Sequence, residues 1–246
     1  MNIFEKEIPK ENTALWWLGQ AGYMIKSNDI SILIDPYLSD SVAKVNPLFS
    51  RAYPVPISPN DIKADIFIVT HDHLDHLDPE TIEAYRYKDT TQFVAPRHAA
   101  KKLKSLGIKH INIIDHGDSA NIHGVTINGI FALATEPGAI DTTGYAIISE
   151  NNKSVYHTSD TAYCDLLLQT APNVDVFLPC INGKYGNLDI AGAIKLTKAV
   201  NPKYVIPNHY DVMALNSENP ESFKYFCENE TDVKVVILKP LELFEW

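Results

Sequence analysis

The apolar run Ile66-Phe67-Ile68-Val69-Thr70 leads directly into His71-Asp72-His73-Leu74-Asp75-His76, so three imidazoles and two carboxyl groups fall within six residues. So many ionisable groups at one strand end would repel one another or stay unsatisfied unless a cation organises them. The H-x-H-x-D-H spacing lets His71 and His73 face one metal ion while Asp75 and His76 face a second. Two later apolar runs end in the same way. Ser154-Val155-Tyr156-His157 is followed by Thr158-Ser159-Asp160, whose carboxylate could bridge two cations with one oxygen to each; Tyr204-Val205-Ile206 leads through Pro207-Asn208 to His209. A divalent ion held by neutral imidazoles and carboxylates lowers the pKa of a coordinated water to about 7 and polarises a carbonyl oxygen. The expected chemistry is therefore hydrolysis by activated water, with Asp75 or Asp160 moving a proton to the leaving alkoxide. Neither G-x-S-x-G nor G-x-x-x-x-G-K-[ST] occurs, which excludes a serine acyl-enzyme and a P-loop nucleotidase.

Brief runs rich in β-branched residues, bounded by Gly, Pro, Asn or Asp, must carry these groups. They read as strands at Thr13 to Leu18, Tyr23 to Lys26, Ser31 to Ile34, Ile66 to Thr70, Gln92 to Ala95 and Ile111 to Ile114. Further strands are expected at Val125 to Ile127, Tyr145 to Ile148, Ser154 to His157, Val174 to Leu178, Tyr204 to Ile206 and Val233 to Leu238. Asp78-Pro79-Glu80 supplies a cap, a proline at the first helical position and an acidic first turn, so a helix is expected from Pro79 to Tyr87. Other helices are expected at Ala99 to Leu106, Thr161 to Gln169, Asp189 to Val200 and Pro220 to Glu228. The Pro-rich piece Asn46 to Pro59 reads as an extended loop able to cover a site.

The 246 residues carry 31 acidic and 21 basic side chains, a net charge of −10, with 45% hydrophobic content. That composition predicts a compact fold and disfavours nucleic acid as a partner, and the strand and helix runs, with no linker to divide them, read as one α/β domain spanning 1–246. No stretch approaches the roughly 18 apolar residues of a membrane helix. The N-terminal residues Met1 to Lys10 contain no apolar core of a targeting segment. Cys164, Cys180 and Cys227 are an odd number at wide spacing, which fits a reducing cytoplasm rather than a disulfide framework. The partner is expected to be a small-molecule substrate, phosphorylated or not; homo-oligomerisation is left open.

The order H-x-H-x-D-H, then Ser-Asp-Thr, then Pro-Asn-His, with Asp35 closing Ile32-Leu33-Ile34, resembles the metallo-β-lactamase superfamily over nearly the whole chain. Within it, Trp16 to Gly22, Thr70 to Asp78, Tyr156 to Asp160 and Ile206 to Asp211 are most similar to the L-ascorbate-6-phosphate lactonase group. The resemblance implies a four-layer αββα sandwich with manganese or zinc, one or two ions, at the edge where strand ends converge. His71 and His73 would serve the first ion and Asp75, His76 and His209 the second; Asp160 would bridge, and Asp35 would orient a ligand or its loop. The implied substrate is a sugar-acid lactone such as L-ascorbate 6-phosphate; a phosphodiesterase and a non-catalytic metal-dependent sensor are the alternatives. The superfamily usually supplies one more histidine after a strand expected here at Gly129 to Leu133, where this chain reads Ala134-Thr135-Glu136-Pro137. Glu136 could ligate in its place or stand at the surface; with no replacement the first site is weaker and favours an oxygen-loving ion such as manganese. Arg51 and Lys184 could pair with a substrate phosphate, and the glycines of Asn182-Gly183-Lys184-Tyr185-Gly186-Asn187 would let Lys184 and Tyr185 approach the ligand. His98, His110, His116 and His123 lie too early or in turn-like contexts to be ligands.

Overall fold

A computed structural model describes Phe4 and residues 6–134 and 140–246. Two seven-stranded mixed sheets face each other. The first contains β1 (Thr13–Gly19), β2 (Gly22–Ser27), β3 (Ile30–Ile34), β4 (Ile66–Ile68), β5 (Gln92–Ala95), β6 (Ile111–Ile113) and β14 (Leu243–Glu245), in the order β14-β1-β2-β3-β4-β5-β6. The second contains β7 (Ser119–Ile122), β8 (Val125–Phe131), β9 (Thr143–Ile148), β10 (Ser154–His157), β11 (Val176–Leu178), β12 (Tyr204–Val205) and β13 (Lys234–Val235), in the order β13-β12-β11-β10-β9-β8-β7. Six helices are described: α1 (Ser41–Val45), α2 (Pro79–Ala84), α3 (Arg97–Ser105), α4 (Asp165–Thr170), α5 (Ile190–Val200) and α6 (Pro220–Glu230).

Strand alternation explains the layers. Along β1, Leu15 and Trp17 point into an apolar cluster with Tyr145, Ile147 and Phe177 of the facing sheet, whereas Ala14, Trp16 and Leu18 join Ile82, Ala99 and Leu103 from α2 and α3. Every β1 residue is buried, as expected of a strand covered on both faces, and each such large side chain contributes about 1.5–3 kcal/mol by leaving water. Leu167, Ile194, Leu196 and Phe223 bring α4, α5 and α6 into the same cluster as the inter-sheet residues. Helices thus flank both sheets, giving the expected four-layer arrangement. No helix among the described residues is long and apolar enough to cross a membrane.

Several boundaries differ from the sequence reading for local reasons. The helix expected from Thr161 begins only at Asp165, because Ala162 N donates to Leu133 O and Leu188 N donates to Thr161 O, tying this backbone to neighbouring loops. The helix from Pro79 ends at Ala84, not Tyr87; Tyr85 leaves the helix with its ring buried and its hydroxyl beside Thr91 Oγ1 and Ala64 O. Helix α3 starts two residues earlier than expected, where Asp115 Oδ1 accepts from Arg97 N at 2.8 Å. Strands β7 and β14 were not expected. The Asn46 to Pro59 piece includes the 3-10 turn Pro47–Phe49 and joins Arg51 to Met213 in an isolated antiparallel bridge.

Gly129, within β8, sits where its N donates to Asp118 O and its O accepts from Gly117 N, both at 2.9 Å. A Cβ there would run into the Asp115 carbonyl, a backbone atom that cannot rotate away. Gly129→Ala is expected to cost roughly 1–3 kcal/mol, a fall in thermal midpoint of about 2–4 °C per kcal/mol for a chain of this size. An unchanged midpoint in a thermal melt would refute this account.

Candidate metal centre

Each site residue stands just beyond a strand of one of the two sheets. The chain leaves β3 at Asp35, β4 at Thr70 and His71, β10 at Ser159 and Asp160, and β12 on its way to His209. Asp35, Ser159 and His209 adopt left-handed backbone conformations, with φ of 40°, 61° and 66°. Such turns are unfavourable for residues other than glycine, and here they redirect side chains across the sandwich edge. The 71–77 loop closes on itself, with His76 N and Leu77 N both donating to His73 O. Asp78 then caps α2 by accepting from Glu80 N, as expected for the support beneath that loop.

Asp35 is the buried hub. Its Oδ1 accepts from Thr70 N at 2.8 Å, and its Oδ2 accepts from Thr70 Oγ1 at 2.6 Å and lies 2.7 Å from His76 Nδ1. Thr70 Oγ1 in turn stands 3.1 Å from His71 Nδ1. One carboxylate therefore occupies the Nδ1 side of both rings, directly for His76 and through a hydroxyl for His71, and leaves each Nε2 facing the site. His71 Nε2 is 3.0 Å from His73 Nδ1. His76 Nε2 lies 3.4 Å from Asp160 Oδ1, and His209 Nε2 lies 3.3 Å from that oxygen and 3.4 Å from Asp75 Oδ2. His71, His73, Asp75, His76, Asp160 and His209, far apart in sequence, thus meet at one place. Ligand atoms of His71, His76 and Asp160, and again of Asp75, His76 and His209, lie within 4.8 Å of one another.

Two observations show that these residues fit a cation. His76 Nε2 and Asp160 Oδ1 are buried and only 3.4 Å apart, yet neither makes a well-formed hydrogen bond. The donors combine imidazole nitrogen with carboxylate oxygen, the set used by divalent transition metals.

The electrostatics agree with that reading. Burial, with His76 beside it, holds His71 neutral by pushing its pKa well below the usual imidazole value. Burial also opposes charge on His76 and His209, but Asp160 and Asp75 outweigh it; the His76 pKa is raised and that of His209 is pushed up to about 9. For Asp160 and Asp75, burial favours the neutral acid, yet the His76 and His209 charges hold both carboxyls below the usual range.

Uncharged residues that the sequence did not single out complete the centre. Gln20 Nε2 donates to Asp75 Oδ2 at 2.8 Å, Asn187 Nδ2 donates to Asp160 Oδ2 at 2.7 Å, and Ser159 Oγ lies 3.3 Å from His71 Nδ1. The substrate-side expectations divide. Tyr185 lines a cavity of about 260 Å³ that also exposes His73, Asp75 and Asp160. Arg51 and Lys184 do not line it. Lys184 is exposed, whereas Arg51 donates through Nη1 to Tyr37 O and through Nε to Tyr53 O and lies over both tyrosine rings. Arg51 is thus held by those carbonyls and rings, with its Nη2 buried and without a hydrogen-bond partner. Glu136, the alternative ligand, lies outside the described residues.

These shifts set the pH response of the metal-free protein. His76 and His209 keep protons that the unfolded chain releases, so their stabilisation is complete below about pH 6.5; the His209 part is lost as pH rises through about 9, and the His76 part as pH rises through its own raised pKa. His71 and His157 resist protonation, so stability also falls as pH drops below about 6.5, and again as the Asp75 and Asp160 carboxylates protonate at lower pH. Thermal melts of chelator-treated protein are expected to peak near pH 6.5, and stabilisation by an added divalent cation to grow towards pH 9 because the cation must displace those imidazole protons. Cation stabilisation that is independent of pH would contradict this arrangement.

The family model described as a beta-lactamase superfamily domain matches residues 14–209. A UPF0173 metal-dependent hydrolase of Archaeoglobus fulgidus is 31% identical over 241 residues, 94% of this chain and 97% of its own. One of Hyperthermus butylicus is 32% identical over 238 residues, 94% of this chain and 98% of its own. Among solved structures, a metallo hydrolase of Ignicoccus hospitalis superposes with a TM-score of 0.76 at 24% identity, covering 96% of this chain and 98% of that one. An isothiocyanate hydrolase from Delia radicum gut bacteria gives 0.74 at 17% identity, covering 94% and 98%. With its two facing sheets, flanking helices and the matched span from β1 to His209, the chain belongs to the metallo-β-lactamase superfamily.

Proposed function

We propose that this protein is a metal-dependent hydrolase that opens an ester or lactone. The observation that carries the reading is the buried convergence of His76 Nε2, His209 Nε2, Asp75 Oδ2 and Asp160 Oδ1, 3.3–3.8 Å apart with neither His76 Nε2 nor Asp160 Oδ1 in a well-formed hydrogen bond, in a six-residue donor cluster that opens into a cavity. His71 and His73 would hold one manganese or zinc ion, and Asp75, His76 and His209 a second, with Asp160 between them. When bound, such an ion supplies Lewis acidity for a carbonyl oxygen and lowers the pKa of water at the site.

The protein's own residues do the rest. Asp35 and Thr70 keep the His71 and His76 rings turned with Nε2 inward. The Gln20 amide fixes Asp75 Oδ2, and the Asn187 amide fixes Asp160 Oδ2 and leaves Oδ1 towards the site. Asp75 or Asp160 would be the proton carrier, receiving a proton from the attacking water and returning it to the leaving alkoxide. A carbonyl substrate is favoured over a phosphodiester because no arginine or lysine lines the cavity among the described residues. The sequence likeness to L-ascorbate-6-phosphate lactonases supports a cyclic ester. The three unpaired cysteines support a reducing compartment, the cytoplasm.

Exhaustive chelation is expected to abolish hydrolysis, and Mn²⁺ or Zn²⁺ to restore it; activity that survives chelation would overturn the proposal. Side-by-side assays with a sugar lactone and bis-p-nitrophenyl phosphate are expected to favour the lactone. Elemental analysis near two ions per chain supports the paired site, and near one supports loss of the first. Asp35→Asn, which frees the His76 ring without changing its volume, is expected to weaken cation affinity by roughly 10–100-fold, measured by competition with a chelating dye.

A further inference from the structure

Besides its acidic and imidazole groups, the cavity is lined by apolar side chains. This apolar wall is built from Val42 and Val45 of α1, Phe49 of the following 3-10 turn, Leu74, Tyr185 and Met213. Phe49 and Tyr185, from two separate loops, stand with ring centroids 5.8 Å apart. Val45 is 74% exposed and Tyr185 48% exposed, so apolar surface meets water directly beside a polar cluster. Exposed apolar patches that continue into a functional centre mark recognition of apolar matter.

Charge points the same way. Among the described residues the ionisable lining of the cavity is His73, Asp75, Asp160 and the Tyr185 phenol, and its remaining polar lining is the amides of Asn46, Asn187 and Asn216. The nearby arginine, Arg51, is withdrawn onto Tyr37 and Tyr53. A phosphate would meet the Asp75 and Asp160 carboxylates with no cationic side chain of the described lining to pair with, and hydroxyls laid along the valine, phenylalanine and methionine wall would lose water there without a partner. At about 260 Å³ the space lies at the small end of ligand pockets and suits a small molecule rather than a protein segment.

We infer that the preferred substrate is an uncharged ester or lactone bearing an unbranched aliphatic or small aromatic group, which packs against Val45, Phe49 and Tyr185 while its carbonyl faces the Asp and His cluster. This inference rests on the hydrolase reading for its reaction and on the wall for its selectivity.

The test is a series of γ-lactones with side chains of increasing length, compared with a hydroxylated sugar lactone and its phosphate. The matching γ-lactams, which resist hydrolysis, are titrated calorimetrically into metal-loaded and metal-free protein. Lactone kcat/KM and lactam affinity are expected to rise about threefold per added methylene until the wall is covered. The hydroxylated and phosphorylated lactones are expected to react at least about tenfold more slowly than the alkyl series. Val45→Lys and Tyr185→Asn, both at exposed positions, are expected to reduce the dependence on chain length to less than half. Hydrolysis that is flat across the series, or faster for the phosphorylated lactone, overturns the inference and leaves the hydrolase reading intact. Lactams that bind in the expected order without any lactone or ester hydrolysis overturn the hydrolase reading and leave the pocket's selectivity standing. Neither binding nor hydrolysis overturns both.

Discussion

Placing carboxylates and imidazoles together inside a low-dielectric edge is the constraint around which this structure is organised. Asp35, Asp75 and Asp160 would repel one another strongly if nothing positive stood among them. In the metal-free protein that role falls to His76 and His209, whose proton affinity is raised by Asp160 and Asp75. Exchanging those two protons for one divalent cation leaves the formal charge of the cluster unchanged. The same carboxylates that pull protons onto the imidazoles therefore attract the cation that replaces them, and the fold need not rearrange its electrostatics to accept it.

Holding such a cluster requires backbone that points side chains across a strand end. Gln20, Asp35, Ser159 and His209 all have positive φ, each costing on the order of 1–3 kcal/mol in general. Local bonds offset that strain. His209 N donates to Gln20 O, linking the two sheets beside the cluster, and Thr143 N donates to Thr70 O a few residues away. His157, just before the Ser159 turn, lies 2.9 Å from Ala21 O through Nε2 and accepts from Ser159 N through Nδ1. The strained turns thus sit where both sheets and their apolar filling restrain them, which keeps the ligand atoms from relaxing apart.

The centre was legible in the sequence where buried strands, with their unbroken apolar runs, stop abruptly at ionisable residues. The runs ending at Thr70, His157 and Ile206 announced the places from which the cluster is delivered. What stayed hidden lacks such contrast. Gln20, Ser159 and Asn187 fall inside segments the sequence singled out, but being uncharged they gave no sign of which group each would meet, and only the folded chain shows that they reach Asp75, His71 and Asp160. Strand β7 reads Ser-Ala-Asn-Ile and is half exposed, and β14 is a three-residue edge strand; neither carries an apolar run. The fate of Arg51 could not be read at all, because carbonyls of Tyr37 and Tyr53 that are unremarkable in sequence capture its guanidinium.

That capture shapes the chemistry of the cavity more than its own energy suggests. An arginine at the mouth of an acidic, metal-binding pocket would compete with a cation for Asp75 and Asp160, and would also recruit phosphates. Folded against Tyr37 and Tyr53, Arg51 instead braces the segment that carries α1 and Phe49 and leaves the cavity without a fixed positive side chain among the described residues. The described lining then offers a substrate apolar side chains, asparagine amides, the Tyr185 phenol and the His73, Asp75 and Asp160 groups, and a fixed positive charge would have to come from an ion held by the cluster. On the proposed reading, discrimination against a highly anionic ester would follow from where one guanidinium is stored rather than from a dedicated binding residue.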